Sequence, residues 1–286
     1  MIWLIGNKGM LGSDVETGLK KKDFNIITTD KEVDITDKNK LFDFAESYNI
    51  SYIINCSAYT NVDKAETEAD LAYKINSDGV QNIAEVADKH NAVLIHISTD
   101  YVYDGKKREP YVETDNTNPL SVYGKSKLAG EENIKKITDK FFIIRTAWLY
   151  GKSGKNFVYS MLNLFKQRDN LGIVNDQYGT PTYTVDLAEI IIKFISDNIN
   201  EYGIYHFTNE GFTTWYNFAV EIYKMAKAKG IIDKEVNIKP ITTDMYPTPA
   251  VRPEYSVLSK EKIKKVLGID IRDWTDALDE FLEEIR

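Results

Sequence analysis

Tyr123 and Lys127 stand four residues apart in a stretch with helical spacing, so the two side chains share a face. A free phenol has a pKa of about 10 and is a poor acid–base group at neutral pH. A nearby ammonium favours the phenolate and lowers that value, which would make Tyr123 a tuned proton donor and acceptor. Lys127 has a second use, holding the ribose of a nicotinamide nucleotide. The spacing is common by chance, and a surface aromatic beside a solvated lysine accounts for it equally well. Position changes the odds. Thr99, after Ser98, lies at the carboxyl end of an apolar run at 92–98, where doubly wound sheets place their ligands. A hydroxyl there can hydrogen-bond a substrate carbonyl beside the tyrosine; the plain alternative is a strand cap.

Gly6, Gly9 and Gly12 follow the first apolar run and open the first helical stretch. A tight turn, a close backbone approach to a pyrophosphate and tight helix–strand packing each need a residue without a side chain. The helix N-terminus then offers free N–H groups and a positive dipole end to phosphates. A glycine triplet alone is a weak signal, but the strand–loop–helix context points to dinucleotide binding. Asp30 ends the second apolar run. A carboxylate there accepts hydrogen bonds from an adenosine ribose 2′-OH and repels a 2′-phosphate, so NADH is favoured over NADPH. Lys31 beside it softens that repulsion.

These groups need a scaffold, and the patterning supplies one. Residues 1–6, 24–29, 51–56, 92–98 and 141–147 read as buried strands, with amphipathic stretches near 10–22, 37–48, 65–89 and 122–137 between them. This alternation predicts an α/β fold, a Rossmann-like doubly wound parallel sheet with helices on both faces. The second half is less regular. Residues 155–168 and 184–198 read as helices and 202–207 as a strand. Thr213 or Thr214 caps a helix to about Lys229, and a last helix carries Trp274, Leu278, Phe281, Leu282 and Ile285 on one face. Pro240, Pro247, Pro249 and Pro253 mark a loop-rich stretch. The expected division is a dinucleotide-binding domain over 1–150, with 184–208 returning to it, and a smaller mixed α/β substrate domain from 151–183 and 209–286.

Together these motifs resemble the extended short-chain dehydrogenase/reductase superfamily. Further blocks narrow the resemblance to its dTDP-4-dehydrorhamnose reductase family: Asn55 to Glu66, Ser98 to Tyr103, Tyr123 to Glu131, Arg145 to Gly151, Asn175 to Thr182, Thr213 to Trp215, and Tyr246 to Ala250 with Arg252 and Pro253. The match runs nearly end to end, and the late blocks are not generic to the superfamily. The resemblance implies NAD(P)H-dependent reduction of the C4 ketone of dTDP-4-dehydro-β-L-rhamnose, giving dTDP-β-L-rhamnose for cell-surface polysaccharide. In it Tyr123 protonates the developing alkoxide, Lys127 tunes Tyr123 and binds the ribose, and Thr99 hydrogen-bonds the ketone oxygen. Asp100, Tyr101 and Trp148 match family substrate positions. Gly9, Met10, Leu11, Asp30, Asp34, Ile35, Ala58, Tyr59 and Thr60 match family cofactor positions, with Tyr59 standing where a histidine is usual. Arg252 is the candidate for the substrate diphosphate, since guanidinium suits phosphate geometry. The family has been associated with Mg2+, and no carboxylate cluster in the sequence matches such a site, so no metal ligand is assigned.

Composition narrows the rest. The 286 residues carry 36 basic and 44 acidic side chains, a net charge of −8, which argues against nonspecific nucleic-acid binding. No apolar run is long enough to span a bilayer or form a signal-peptide core. The single cysteine, Cys56, points to a reducing compartment, the cytoplasm. The expected partner is thus a dTDP-sugar, with no nucleic acid and no membrane; a homodimer stays open. His90, His96 and His206 match no metal pattern, and Cys56 reads as a structural thiol. The lysines from Lys260 to Lys265 read as a solvated helix surface, and Trp215 as core packing. Two rivals remain. One is another nucleotide-sugar ketoreductase, epimerase or dehydratase, although dehydratases carry Asp-Glu where this chain has Asp100 and Tyr101. The other is a non-catalytic dinucleotide-binding regulatory subunit, since fold does not fix function.

Overall fold

The short apolar runs become strands covered on both faces. β1 (Ile2–Ile5), β2 (Ile26–Thr29), β3 (Tyr52–Asn55), β4 (Val93–Thr99), β5 (Phe141–Thr146) and β6 (Gly203–His206) form one sheet in a computed structural model that describes residues 1–286. Every pairing is parallel, in the order β2-β1-β3-β4-β5-β6. Side chains alternate across the sheet. In β1, Ile2 and Leu4 enter one core layer, and Trp3 and Ile5 the other. Full burial of each such side chain contributes about 1.5–3 kcal/mol, so β1 ties the two layers together.

Helices fill both layers. α1 (Met10–Lys21), α6 (Thr184–Ser196) and α8 (Glu261–Leu267) cover one face; α2 (Lys38–Glu46) and α3 (Val80–Lys89) cover the other, joined by α4 (Val122–Ile137). Local capping fixes their starts. The Asp37 carboxylate accepts from the Lys40 amide at 3.1 Å, and the Ser121 hydroxyl from the Gly124 amide at 3.1 Å.

The 65–89 stretch is not one helix. Short turns of helix at Val62–Ala65 and Ala69–Tyr73 lead into a π-helical segment at Lys74–Gly79, and only then into α3. The wider turn brings Asn76 inward, where its amide accepts from the Tyr59 N–H at 2.8 Å and donates to the Tyr59 carbonyl at 3.0 Å. A π-bulge placed beside a ligand-facing loop is a common arrangement.

The second half packs α5 (Phe157–Gln167), α7 (Trp215–Ala228) and α9 (Trp274–Glu284) around Tyr150, Tyr183 and Phe218. The Thr214 hydroxyl caps α7. Six short strands escaped the sequence pattern; the two longest, Asn170–Val174 and Asn237–Ile241, pair in parallel. The second contains Pro240, tolerated because this two-stranded ribbon has a free edge. Lys260 also departs from expectation. It is buried and paired with Glu210 at 3.3 Å rather than solvated. No helix is long and apolar enough to cross a membrane.

Candidate active site

The order in which strands are added reverses between β1 and β3, since β1 connects outward to β2 on one side while β3 and β4 continue on the other. Doubly wound sheets open a crevice at such a point, outside the carboxyl ends of the strands. Here that crevice is a cleft of about 960 Å³.

Gly6 leaves β1 with φ +81°, and a Cβ there would lie 2.9 Å from the Ser57 amide nitrogen. The loop after β3 therefore crosses directly over it. At Gly12 a Cβ would sit 2.0 Å from the Gly6 carbonyl oxygen, so α1 packs against the turn only through a bare glycine. Gly12 serves this packing and does not line the cleft. Gly9 precedes α1 without any side-chain cap, which leaves first-turn N–H groups without intrahelical partners. Gly9, Met10 and Leu11 line the cleft beside them, and Asp30, Lys31, Asp34 and Ile35 form its far end. The turn, the uncapped helix and the terminal carboxylate fit a dinucleotide, with phosphates on the N–H groups and a ribose at Asp30.

Ala58 and Thr60 also line the cleft, but Tyr59 does not. Its phenol donates to Glu68 at 2.7 Å, and Asn76 holds its backbone. The expected Tyr59 contact with the cofactor is thus limited to its position in the loop.

Thr99, Tyr123 and Lys127 meet at the other end of the cleft. The Thr99 hydroxyl donates to Asp100 Oδ1 at 3.0 Å and accepts the Tyr101 N–H at 3.2 Å. Burial pushes the Asp100 carboxyl up to about 6, with Ser256 and Thr99 holding it back. Burial also pushes the Tyr123 phenol up to about 12; Thr99 opposes that shift and Asp100 adds to it. Lys127 does not produce the lowered phenol that the four-residue spacing suggests. Its side-chain nitrogen turns away, donating to the Ile97 carbonyl at 2.7 Å and lying 3.3 Å from His96 Nε2. Burial brings Lys127 down to about 8, against the opposing pull of Glu131 and Cys56.

A buried polar network supports this end of the sheet. Glu131, one turn beyond Lys127 on α4, takes Arg145 at 2.6 Å and 3.0 Å and the Ser98 hydroxyl at 2.5 Å. Arg145 donates onward to the Tyr103 phenol at 2.6 Å, which meets His206 Nε2 at 2.9 Å. Both His96 and His206 are fully buried in these contacts, and the Cys56 thiol is pushed up to about 12 by burial. No group of three or more His, Cys, Asp or Glu side chains is placed to share a metal.

Trp148 closes the cleft from the second half with φ +47°, a left-handed conformation that a bulky residue adopts only under constraint. Its indole stacks on Trp215 at 3.5 Å between centroids and 11° between planes. A Cβ on Gly179 would strike the Trp148 ring at 2.6 Å, so the other side of the indole is filled by bare backbone. A small recess continues beyond, bounded by Asp100, Tyr101, Trp148, Gln177, Trp215 and Arg252. Arg252 lies in this recess rather than in the main cleft. Trp215 packs against the second-half core, as expected, and also borders this recess, for which its signal was the Thr213–Trp215 block. Gln177 had the same kind of signal, whereas Ile97 and Lys155, also on the cleft wall, had none.

A parallel sheet with a glycine turn at its switch point and a Thr–Tyr–Lys group at the opposite end of one cleft defines a dinucleotide-dependent oxidoreductase of the short-chain dehydrogenase/reductase type. The family model described as "RmlD substrate binding domain" matches residues 1–286. The chain is 46% identical over 251 residues to the dTDP-4-dehydrorhamnose reductase of Aggregatibacter actinomycetemcomitans, covering 86% of this chain and 85% of that one. The crystal structure of a dTDP-4-dehydrorhamnose reductase from Clostridium acetobutylicum superposes with a TM-score of 0.93 at 43% identity, covering 99% of both chains. That of Bacillus anthracis, solved in complex with NADP, gives a TM-score of 0.93 at 38% identity over 99% of this chain and 98% of that one. The chain belongs to the dTDP-4-dehydrorhamnose reductase family.

Proposed function

We propose that this protein uses NAD(P)H to reduce the C4 ketone of dTDP-4-dehydro-β-L-rhamnose to dTDP-β-L-rhamnose, in the cytoplasm. What carries the reading is one cleft that joins the glycine turn and Asp30 at one end to Thr99 and Tyr123 at the other.

When bound, the nicotinamide supplies hydride to the ketone carbon. The chain's own residues handle the proton and the charge. Tyr123, held protonated by burial, is the acid that gives its phenolic proton to the developing alkoxide. Thr99 stabilises the same oxygen, and to donate to it the hydroxyl must turn its single proton away from Asp100. Lys127 holds the ribose side of the cofactor. Trp148, wedged between Trp215 and Gly179, offers the fixed rim of its indole to the sugar, and Arg252 faces the substrate diphosphate. Asp30 favours NADH, and Lys31 beside it keeps NADPH acceptable. The first division of the chain, 1–150 with 184–208, binds the dinucleotide and is completed by α8 (Glu261–Leu267), which packs on its sheet; the rest of 151–183 with 209–286 binds the sugar nucleotide.

The test is NADH oxidation with enzymatically prepared dTDP-4-dehydrorhamnose. Tyr123→Phe is expected to cut kcat by roughly 10²-fold or more, with dinucleotide affinity retained. Near-normal turnover in that variant would remove the proton-donor assignment. Dinucleotide binding without turnover by the wild type, on either nucleotide, would shift the reading to another sugar or to a non-catalytic subunit.

A further inference from the structure

We infer that Asn55 and His96 are positioning residues for Lys127: they aim an imidazole N–H at its side-chain nitrogen and so favour the neutral amine over the ammonium. The inference rests on hydrogen-bond direction. Asn55 is the last residue of β3, and its carboxamide oxygen accepts both the Ser57 amide at 2.9 Å and the Ser57 hydroxyl at 2.6 Å. A backbone N–H is only ever a donor, so the oxygen of Asn55 is pinned on that side. Its NH2 group then faces His96 Nδ1 at 3.1 Å and donates to it. Nδ1 is therefore an acceptor. His96 is fully buried, and burial holds it neutral. A neutral imidazole with an accepting Nδ1 carries its proton on Nε2. That N–H points at Lys127 Nζ across 3.3 Å.

An ammonium has three donors and no lone pair, so it opposes this N–H donor to donor. A neutral amine accepts it and still donates to the Ile97 carbonyl at 2.7 Å. The other groups facing Lys127 pull the opposite way or are neutral. Glu131 attracts the ammonium from one turn along α4, but Arg145 holds that carboxylate bidentately. Cys56 contributes a buried thiol, and Tyr123 stays protonated. Burial acts in the same direction and brings Lys127 down to about 8. On the proposed reading of Lys127 as the group that holds the cofactor's ribose, its charge is then a variable of the reaction and not a constant.

The experiment uses the ligand-free protein, labelled with 15N-histidine and 13Cε-lysine, followed by NMR through the neutral and mildly alkaline range. The expected result is a neutral His96 protonated on Nε2 and a Lys127 that titrates well below other lysines. His96→Leu should raise the Lys127 midpoint by about one unit, a tenfold change in the equilibrium. His96→Gln, which can keep an N–H aimed at Lys127, should restore the low value. A His96 protonated on Nδ1, or a Lys127 midpoint that His96→Leu leaves in place, would overturn the inference. If His96→Leu does not fold, the tautomer in the wild type decides alone. None of these readings depends on turnover, so they stand apart from the outcome of the Tyr123→Phe assay.

Discussion

Arg252 is gripped by Asp63, with one guanidinium nitrogen 3.0 Å from Oδ1 and the other 2.9 Å from Oδ2. The pair joins the loop after β3 to the proline-rich segment near the end of the chain, and Asp63 also takes the Ala250 amide at 3.3 Å. A substrate diphosphate must share or replace this carboxylate to reach Arg252. Bidentate geometry suits either partner.

This makes Arg252 testable in two directions. Arg252→Ala should raise KM for the dTDP-sugar by about tenfold or more, the size of one lost charge-assisted hydrogen bond, and leave dinucleotide affinity unchanged. Asp63→Asn should lower KM or leave it, because it frees the guanidinium. Both side chains are partly exposed, so neither variant should lose more than about 1 kcal/mol of stability. An unaltered KM in Arg252→Ala would reduce the arginine to a strap between two segments.

On the proposed reading, Asp30 is the point on which cofactor choice turns. Its backbone N–H donates to Glu32, leaving the carboxylate at the mouth of the cleft beside Lys31. Asp30→Ala removes both the ribose acceptor and the repulsion of a 2′-phosphate. The ratio of kcat/KM for NADH over that for NADPH should fall by about tenfold, on the scale of one lost hydrogen bond to a charged group. An unchanged ratio would take Asp30 out of cofactor recognition.

Asp100 should leave a mark on stability against pH. Its folded pKa of about 6 lies above the ordinary carboxylate value of 3.8. Between those two values the native state binds the proton and the unfolded state does not. Stability is therefore lost as pH rises from about 4 to 6, and stays lost above. Asp100→Asn cannot ionise and should escape this loss. Urea denaturation at pH 5 and pH 8 should show the variant gaining on the wild type at the higher pH. A constant difference between the two would mean Asp100 ionises in the fold without penalty.

Much of this was legible in the residues, for reasons that differ by region. The six strands of the main sheet are short, apolar on both faces and rich in Ile, so each reads as a short continuous apolar run placed to within about two residues. Thr99, Tyr123 and Lys127 follow from their places at strand and helix ends. What periodicity could not reveal was hydrogen-bond direction. The four-residue spacing of Tyr123 and Lys127 says that they share a face, but not that Lys127 turns toward Ile97 and His96. The break at Lys74–Gly79 was also hidden, because a π turn keeps the amphipathic pattern while shifting it by one residue. The Trp148–Trp215 stack depends on a positive φ and on Gly179, two features with no local signature.

The Glu131–Arg145 pair carries the last prediction. Glu131 is entirely buried and Arg145 is 2% exposed, and the pair is fixed by two hydrogen bonds plus those from Ser98 and to Tyr103. A buried pair gains little over an apolar substitute, because each charge has lost its water; breaking one partner is far worse, since the other charge is left buried. Glu131→Gln should thus destabilise by roughly 3–5 kcal/mol, whereas the double variant Glu131→Leu with Arg145→Met should recover most of it. The same network lies under Ser98 and Thr99, so Glu131→Gln should also lower kcat at temperatures where it remains folded. Urea denaturation of the three proteins separates the cases. A single variant as stable as the double would mean that Tyr103 and His206 hold Arg145 without Glu131.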